Sequence, residues 1–510
     1  MSEPTTSSDE GDAGHDSGSA VSGAGRWIDD RLRVSKFADE VLQHVFPDNW
    51  SFMLGEIAMY CFVILVATGV YLTFFFHPGS RDVVYNGSYA PLRGVHMSEA
   101  YESTISLSFD VRAGLVMRQI HHWTADVFAA AVVVHLCRIF FTGAFRRPRE
   151  INWLIGVTML ILVIFNGFAG YSLPDDLLSA TGLRIAYSIL ISIPVVGTWM
   201  ASLFFGGVYP GPATTQRLFI LHVLILPALI AILLGAHLAI VWRQRHTQFP
   251  APGRTEENVA GLRLWPTYAA KSAGLFAGVA AVVAALGGLA QINPLWLYGP
   301  YRTSAVTTAA QPDWYMGWLE GALRLFPAWR VHVFHHTIPE VFWPGVVVPG
   351  LTFLLLYSWP FLEKKVTGDR ARHELLDRPR DRPARTAIGT GVLTFYVVLF
   401  AAGSQDIFAQ HLDTSIADVN RAFRILLVVA PCVVAAITWK WCHDLARADS
   451  GFERSSLKPV ALEHDDGTDR RSAGAASTGH TGLWAGVGFA IAAAFGVARA
   501  RRRRKERLHR

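Results

Sequence analysis

The sequence predicts an all-α integral membrane protein with eight transmembrane helices. Of its 510 residues, 51% are hydrophobic and 17% are charged, and the mean hydropathy is +0.29. A soluble protein of this length would be less apolar and more charged. Several stretches reach the ~20 apolar residues that span a bilayer. These candidate spans, named A to H, lie near residues 52–76, 117–141, 151–173, 218–242, 272–291, 338–361, 386–402 and 422–441.

The segment before span A divides into a polar tail and an amphipathic stretch. Residues 1–25 are rich in Ser, Gly and acidic residues, which predicts disorder, and they lack the basic start and apolar run of a signal peptide. Residues 26–50 place apolar side chains such as Trp27, Leu32 and Val41 on one helical face. This pattern is typical of an interfacial helix that leads into the membrane.

Basic residues predict the orientation of the spans. Loops B–C, D–E and F–G carry 3, 5 and 8 Lys or Arg residues, whereas the four alternate loops carry 9 in total over a greater length. Because cytoplasmic loops are enriched in Lys and Arg, both termini are expected in the cytoplasm. The connections C–D and E–F are long, and short apolar pieces such as Leu183–Pro194 are expected to cover a site.

The C-terminal region, residues 446–510, is predicted to be a polar cytoplasmic tail with one apolar segment. Gly482–Ala498 is apolar and is followed by ARARRRRKERLHR. A ninth span here would place the arginines outside, against the charge rule. A segment on the cytoplasmic surface would place them on anionic lipid. Both interpretations remain open at this stage.

Charge and cysteine usage argue against several other classes of protein. The net charge of +6 and the pI near 9.2 arise mostly from basic residues beside apolar spans, which favours membrane orientation over nucleic-acid binding. The cysteines form no CxxC or CxxCH motif, so no zinc ribbon, iron–sulfur cluster or covalently attached c-type haem is expected.

Spans B and D each carry two widely spaced histidines. His121 and His135 are fourteen residues apart, and His222 and His237 are fifteen apart. On a helix, fourteen residues advance about 21 Å and return to within roughly 40° of the same face. Each pair can therefore present one imidazole in each leaflet, and two adjacent helices would provide bis-histidine ligation for two stacked haems. His122 points about 100° away from His121 and is left out of this ligand set.

Spans A and C carry glycines at the same interval. Gly55 and Gly69 are fourteen residues apart, as are Gly156 and Gly170. Glycines in membrane helices usually serve close helix packing. Their coincidence with the histidine interval indicates that two planar macrocycles need room against these helices.

Three arginines lie close to the histidines. Arg118, Arg138 and Arg217 would be costly in lipid without anionic partners, although snorkelling to the interface is an alternative. Haem propionates are suitable partners, because Arg pairs with carboxylates in a bidentate manner.

The chain resembles cytochrome b of the respiratory cytochrome bc complexes over about residues 50–445. The motifs that carry the resemblance are GEIAMYCFVILVATG, RQIH with HLCR, GYSLP, RLFILH with GAH, and QPDWY at 311–315. It implies that His121 and His222 ligate the iron of an outer, low-potential b haem. His135 and His237 would ligate the iron of an inner, high-potential b haem. Met53 stands where some relatives attach an extra haem to cysteine, so two non-covalent haems are expected.

The PDWY motif resembles the PEWY signature of the outer quinol-oxidation site. The resemblance implies that Asp313 accepts a quinol proton and that Tyr315 borders the pocket. It further implies a quinol–cytochrome c oxidoreductase that translocates protons, with a Rieske iron–sulfur subunit and a cytochrome c subunit as partners. A homodimeric complex in the plasma membrane is expected, and association with a terminal oxidase is left open. The combination of features is similar to actinobacterial members, which use menaquinol.

The inner quinone site is less clear from the sequence. WPTYAAKS at 265–272 resembles the family's approach to span E, and Lys271 matches the pattern. Ser272 replaces an acid found in mitochondrial members, which leaves the proton donor unassigned. The predicted parts are thus 1–50, a di-haem four-helix bundle at 51–250, spans E–H with the quinol-site loop at 251–445, and the tail.

Two other functions fit some of these features. The chain could anchor another quinone-linked dehydrogenase through two haems, but that class does not predict PDWY or spans E–H. It could also be a haem-free transporter whose histidines relay protons.

Overall fold

Eight long apolar helices form the described part of the protein, as the sequence predicts for these residues. The computed structural model describes residues 41–305, 307, 311–333 and 336–456, together with 23, 27, 29–33, 35 and 36. Within these residues, eight helices are long and apolar enough to cross a membrane. Their bounds are Trp50–Thr73 (A), Gly114–Thr142 (B), Glu150–Tyr171 (C), Thr214–Gln244 (D), Leu264–Leu289 (E), Trp343–Thr367 (F), Pro383–Ala402 (G) and Ile416–Arg447 (H).

Spans E, F and H differ most from their predicted limits, and H is longer by six residues at each end. Span E begins at Leu264, before the polar residues of WPTYAAKS, because its first turns are held by an adjoining strand rather than by apolar character. Span F continues through a charged turn to Thr367 and ends at Gly368, which adopts a left-handed conformation (φ 69°). Glycine adopts this C-terminal conformation without a Cβ penalty. Apolarity alone therefore misplaces both helix ends.

Shorter elements lie in the connections between the spans. Additional α-helices are Glu99–Phe109, Leu177–Ile191, Gly197–Phe205, Leu295–Tyr298, Gly317–Leu325 and Gln405–Leu412. The strands are β1 (Val45–Phe46), β2 (Asp82–Val84), β3 (His96–Ser98), β4 (Leu262–Arg263), β5 (Val331–Val333) and β6 (His336–Ile338). They pair antiparallel as β1–β4, β2–β3 and β5–β6. Helix H itself extends to Ser456.

Spans A to D form an antiparallel bundle. Gly55 and Gly69 of span A face His135 and His121 of span B, so the two helices run in opposite directions. The same opposition of glycine and histidine holds between spans C and D. Buried apolar residues of all these helices meet at mid-depth, including Cys61, Phe128, Val163 and Ile230. The glycines let the helices approach, and the apolar cluster fills the space between the two histidine levels.

A wide π-helical turn interrupts span D at Leu221–Ile225 and contains His222. Pro227 follows directly, and its lack of an N–H removes one regular helical hydrogen bond. A π-helical turn contains an extra residue. It therefore takes up the one residue by which the His222–His237 interval exceeds the interval on span B.

The two long loops pack on each other over one end of the bundle. Asp176 caps the helix Leu177–Ile191, and the N–H of Leu177 donates to the Gly299 carbonyl at 3.0 Å. Arg184 donates to the Tyr301 hydroxyl at 3.0 Å. The predicted apolar piece 183–194 is thus largely a surface helix in the C–D loop, and it helps to cover the predicted outer end.

A buried ion-pair cluster fixes spans F and G at the opposite end. The Arg385 side chain is 4% exposed and pairs with Glu363 and Asp377, the latter at 2.8 Å. Its guanidinium also lies 5.4 Å from the centre of the Phe145 ring, on the B–C loop. This one side chain connects three segments of the chain.

Several sequence predictions concern residues outside this description. The polar tail 1–22 and the C-terminal segment 457–510, which includes Gly482–Ala498, lie outside the described residues, as do residues 26, 28, 34 and 37–40 of the predicted entry helix. The cysteines differ in exposure: Cys432 is exposed on span H, whereas Cys61 and Cys442 are buried.

Candidate functional site

Each predicted histidine ligand lies directly against one of the predicted glycines. A Cβ built on Gly55 would lie 3.2 Å from His135 Cε1, and one on Gly69 would lie 3.3 Å from His121 Cε1. On Gly170 the added atom would collide with the His222 ring. The nearest group to each glycine is therefore an imidazole, so the glycines make room for the histidines themselves.

The outer histidine pair faces across the bundle. The ring centres of His121 and His222 are 6.0 Å apart, with ring planes at 76° to each other. Metal–imidazole bonds are about 2 Å long, so this separation leaves space for one metal ion between the two rings.

Hydrogen bonds fix which nitrogen of each outer histidine faces inward. His222 Nδ1 lies 2.9 Å from the Asn166 carbonyl, which can only accept, so this nitrogen carries the proton. His121 Nδ1 lies 2.9 Å from Thr68 Oγ1, whose proton is donated to the Ile64 carbonyl at 2.7 Å. That hydroxyl therefore accepts from His121. In both rings Nε2 keeps its lone pair for a metal, the arrangement that outer-shell hydrogen bonds impose on histidine ligands.

Of the two inner histidines, His135 packs tightly against its glycine and His237 does not. A Cβ on Gly156 would lie 4.0 Å from His237 Cε1, which is an ordinary contact. The Nδ1 atoms of His135 and His237 are buried and have no hydrogen-bond partner among the described residues. Both inner rings are therefore buried, and His237 has the widest glycine contact of the four histidines.

Two arginines have buried donors without partners beside the histidines, whereas Arg217 is exposed. Arg118 Nε and two nitrogens of Arg138 are buried without a hydrogen-bond partner in the described part of the chain. Such groups are costly unless an anion pairs with them. Arg217 instead donates to the carbonyls of Ser202, at 2.8 Å, and Leu203, and its side chain is exposed. The geometry thus favours Arg118 and Arg138 for propionates, and it assigns Arg217 to the C–D loop.

These observations fit two haems better than a purely structural bundle. The pocket offers paired imidazoles with inward lone pairs, and buried arginine donors await an anionic partner. The residues that would hold the groups are the four histidines with Arg118 and Arg138. When bound, a haem supplies reversible one-electron chemistry at its iron.

A cavity of about 310 Å³ opens at the outer histidine pair. Its walls include both outer histidines, Gly69 and Gly170, and also Asp313 and Tyr315 of the PDWY motif. Two features that are almost two hundred residues apart in sequence therefore border one space.

Asp313 is fixed by two neighbours. His122 Nε2 lies 2.8 Å from Asp313 Oδ1, and the Tyr315 hydroxyl donates to Asp313 Oδ2 at 3.0 Å. Burial, reinforced by the charge of Asp313, raises the pKa of Tyr315 well above its ordinary range, so the phenol remains a donor. Gly167 of span C makes room for the Tyr315 ring.

His122 is a residue of the candidate site that the sequence patterns do not identify. Helical geometry directs His122 away from the haem position. In the structure this direction leads to Asp313. Asp126, one helical turn later, lies in the same group of side chains, and ligand atoms of the three residues are all within 4.8 Å of one another. An acid four residues after the second histidine, on the same face, was the available signal.

Residues of the predicted inner quinone segment also meet span A. Lys271 pairs with Asp48 near the start of span A, and Ser272 Oγ donates to Glu56 Oε2 at 2.7 Å. Glu56 is adjacent to Gly55, which faces the inner histidine His135.

Comparisons with known proteins place this arrangement in a family. The family described as "Cytochrome b(N-terminal)/b6/petB" matches residues 126–300. The cytochrome bc1 complex cytochrome b subunit of Mycobacterium leprae is 53% identical over 423 residues, which cover 83% of this chain and 77% of that protein. The subunits with the same name from Corynebacterium efficiens and Streptomyces coelicolor are each 48% identical, over 441 and 427 residues. The Corynebacterium match covers 86% of this chain and 81% of that protein. The Streptomyces match covers 83% of this chain and 78% of that protein.

A solved structure shows the same fold. The structure described as "Hyperthermophilic respiratory Complex III" superposes with a TM-score of 0.59 and 21% identity, covering 82% of this chain and 100% of that one. The sequence relatives agree with the expectation from the sequence motifs. The chain therefore belongs to the cytochrome b subunits of respiratory cytochrome bc1 complexes.

Proposed function

We propose that this chain is the catalytic subunit of a quinol–cytochrome c oxidoreductase, oxidising quinol in the cavity bordered by Asp313. Membership of the family implies b-type haem, and the two histidine pairs support two haems in this chain. The resemblance to actinobacterial proteins favours menaquinol as the quinol. The match to bc1 subunits over most of the chain favours this function over a dehydrogenase anchor or a proton-relaying transporter.

The observation that carries the proposal is the shared cavity. His121, His222, Asp313 and Tyr315 all line the same volume. Quinol oxidation separates a proton from an electron, so a proton acceptor and an electron acceptor must both lie near the reacting hydroxyl. In this cavity Asp313 offers the carboxylate that accepts a proton, and His121 and His222 would hold the haem that supplies one-electron chemistry.

The residues of the cavity suit proton removal. Asp313 is 13% exposed and accepts hydrogen bonds from His122 and Tyr315, which fix its orientation. A positioned carboxylate within hydrogen-bond distance of a hydroxyl acts as a general base. Aspartate is one methylene shorter than the glutamate common in the family. His122, at 2.8 Å, compensates by holding the carboxylate in one orientation.

The complete reaction uses both ends of the bundle. One electron of the quinol goes to a Rieske iron–sulfur partner and then to a cytochrome c subunit. The other electron reaches a quinone at the inner end of the bundle. Two bound b-type haems would supply the one-electron chemistry for this transfer. Protons leave on the outer side and are taken up on the inner side, which makes the reaction electrogenic. We place the complex in the plasma membrane as a homodimer, with both termini in the cytoplasm and a terminal oxidase as an associated partner.

The substitution Asp313→Asn tests the outer site. It keeps the size and one acceptor oxygen but removes the general base, so naphthoquinol-dependent cytochrome c reduction should fall by about 100-fold or more. Both b-haem absorption bands should remain, because Asp313 contacts none of the four histidine ligands. Asp82→Asn is the matched control, since Asp82 lies in the A–B loop with its side chain 67% exposed.

Two results would contradict the proposal. Purified complex without two b-type haems per chain would remove the electron path. Unchanged quinol oxidation by the Asp313→Asn complex would remove the proton acceptor.

A further inference from the structure

A carboxylate lies at the inner end of the bundle, where the sequence left the proton donor unassigned. Glu56 is in the first turns of span A, directly after Gly55, whose missing Cβ makes room for His135. An ionisable residue inside a membrane helix is costly and is retained for a function or a specific partner. Its surroundings show what it is placed to do.

Three hydroxyl groups surround the Glu56 carboxylate. Oε1 accepts from the Tyr268 hydroxyl, and Oε2 accepts from Ser272 at 2.7 Å. The Tyr60 hydroxyl lies 3.2 Å from Oε2, and its single proton goes either to this oxygen or to Ser272 Oγ. The Tyr60 and Ser272 hydroxyls also contact each other. These four residues, which we call the inner hydroxyl cluster, contain a single carboxyl group.

The fold brings the cluster together by pairing the starts of spans A and E. Strands β1 and β4 precede the two spans and pair antiparallel, with Phe46 opposite Leu262. The Phe46 ring stacks on Tyr268 with ring centres 4.4 Å apart. Both helices therefore begin at the same level, and residues of their first turns face one another.

The cluster joins the histidine level to the aqueous surface. Glu56, Tyr60 and Ser272 are half-buried. Lys271, next to Ser272, pairs with Asp48, and these side chains are 41% and 48% exposed. A proton from water at this surface reaches Glu56 through groups that the structure places in contact or in adjacent positions.

We propose that Glu56 delivers the protons taken up when a quinone is reduced at the inner site, an inference that rests on the proposed quinol-oxidoreductase function. Reduction of a quinone to a quinol consumes two electrons and two protons. The electrons arrive one at a time from successive oxidations of quinol at the outer site. With each electron, Glu56 in its acid form gives one proton to a quinone oxygen. It is left as a carboxylate and takes up a proton from water before the next electron.

The other members of the inner hydroxyl cluster are less suited to this role. Ser272 and the two tyrosines have hydroxyl groups that donate hydrogen bonds but are weak acids. They orient the carboxyl group and pass protons to it. Lys271 is held at the surface by Asp48. Span E has a serine, Ser272, in place of an acid. Glu56 of span A thus supplies the carboxyl group instead.

The test separates proton delivery from assembly and from outer-site chemistry. Two rates are measured in the purified complex by stopped-flow absorbance of the b haems. One is their reduction by 2,3-dimethyl-1,4-naphthoquinol, and the other is re-oxidation of the pre-reduced haems by 2,3-dimethyl-1,4-naphthoquinone. Proton uptake during re-oxidation is followed with a pH indicator. Glu56→Gln should slow re-oxidation and proton uptake by about 10-fold or more, with haem reduction within about twofold of wild type.

Two further variants complete the design. Glu257→Gln is the matched control, because Glu257 is an exposed residue of the D–E loop, on the same predicted side. The double substitution Glu56→Gln with Ser272→Asp returns a carboxyl group to the cluster from the other helix. It should restore at least about a third of the lost rate, which a purely structural role of Glu56 does not predict.

Each outcome of these measurements either supports or overturns the proposal. Wild-type re-oxidation in the Glu56→Gln complex overturns the proposal, and so does a double variant that remains as slow as Glu56→Gln. If Glu56→Gln lowers haem content, rates are compared per haem, and the double variant then decides alone. Wild-type haems that naphthoquinol fails to reduce would refute the proposed function, a result distinct from these.

Discussion

The contact between Gly170 and His222 sets the largest steric demand in the outer haem site. A Cβ on Gly170 would collide with the His222 ring, and three ring atoms lie close to the added position. The ring has little freedom to move away, because its Nδ1 is hydrogen-bonded at 2.9 Å to the carbonyl of Asn166. Asn166 lies on span C, one turn before Gly170. Gly170→Ala must therefore displace either the ligand or the helix.

The structure ranks the four glycines. Forcing an extra carbon into a packed site costs typically about 1–3 kcal/mol, and losing the Asn166 bond adds about 0.5–1.5 kcal/mol. Replacing glycine within a helix returns up to about 1 kcal/mol, so Gly170→Ala should cost roughly 1–3 kcal/mol. Gly55→Ala and Gly69→Ala meet histidine atoms at 3.2 and 3.3 Å and require only a small shift. Gly156→Ala meets its histidine at 4.0 Å and should be neutral or stabilising.

The assay is haem content per chain, measured from the pyridine haemochrome spectrum, together with the midpoint temperature of haem loss. Gly170→Ala should lose or destabilise the outer haem, Gly156→Ala should retain both haems, and the other two variants should fall between them. The reasoning fails if Gly156→Ala is as damaging as Gly170→Ala. It also fails if Gly170→Ala matches wild type in both measurements.

Two further substitutions test the hydrogen bonds and the ion pairs. Thr68→Val removes the acceptor of the His121 Nδ1 proton, leaving a buried donor unpaired at a cost of about 1–3 kcal/mol. A redox titration should show a changed midpoint potential for the outer haem only, with Thr68→Ser close to wild type. Arg385→Met leaves Glu363 without its buried arginine partner, whereas Asp377 keeps Arg146 at 3.2 Å, so thermal unfolding should show a loss of about 3 kcal/mol. Arg421→Met, at a side chain that is 74% exposed, should change little, and equal effects would refute the assignment.

Periodic signals in the sequence predicted the spans and the histidine positions well. The equal intervals on spans A, B and C survive in the structure because regular helices convert sequence distance into a fixed rotation. The glycines were expected to make room for macrocycles, and each is found against an imidazole. The periodicity located these residues, but which atoms touch depends on side-chain direction.

Contacts between distant segments could not be predicted in the same way. His122 was judged only against the haem position, and its partner Asp313 lies on a loop whose path the sequence does not determine. Arg217 was grouped with Arg118 and Arg138 by proximity to a histidine, yet nearby loop carbonyls bind it. Glu56 carried no signal of its own, because its meaning depends on Tyr268 and Ser272, more than two hundred residues later.

The wide turn at Leu221–Ile225 has a consequence for how ligand spacing is counted. Two helices that hold the same cofactors must direct their ligands toward the same side. That direction depends on the rotation about the helix axis, called the angular phase here, and not only on the number of residues between the ligands. By placing a surplus residue in one local turn, span D keeps His237 in phase with His135 although its interval is longer. The turn acts as a phase corrector beside the outer ligand. A deletion within it would therefore be expected to rotate His222 and everything before it, while leaving the inner ligand in place.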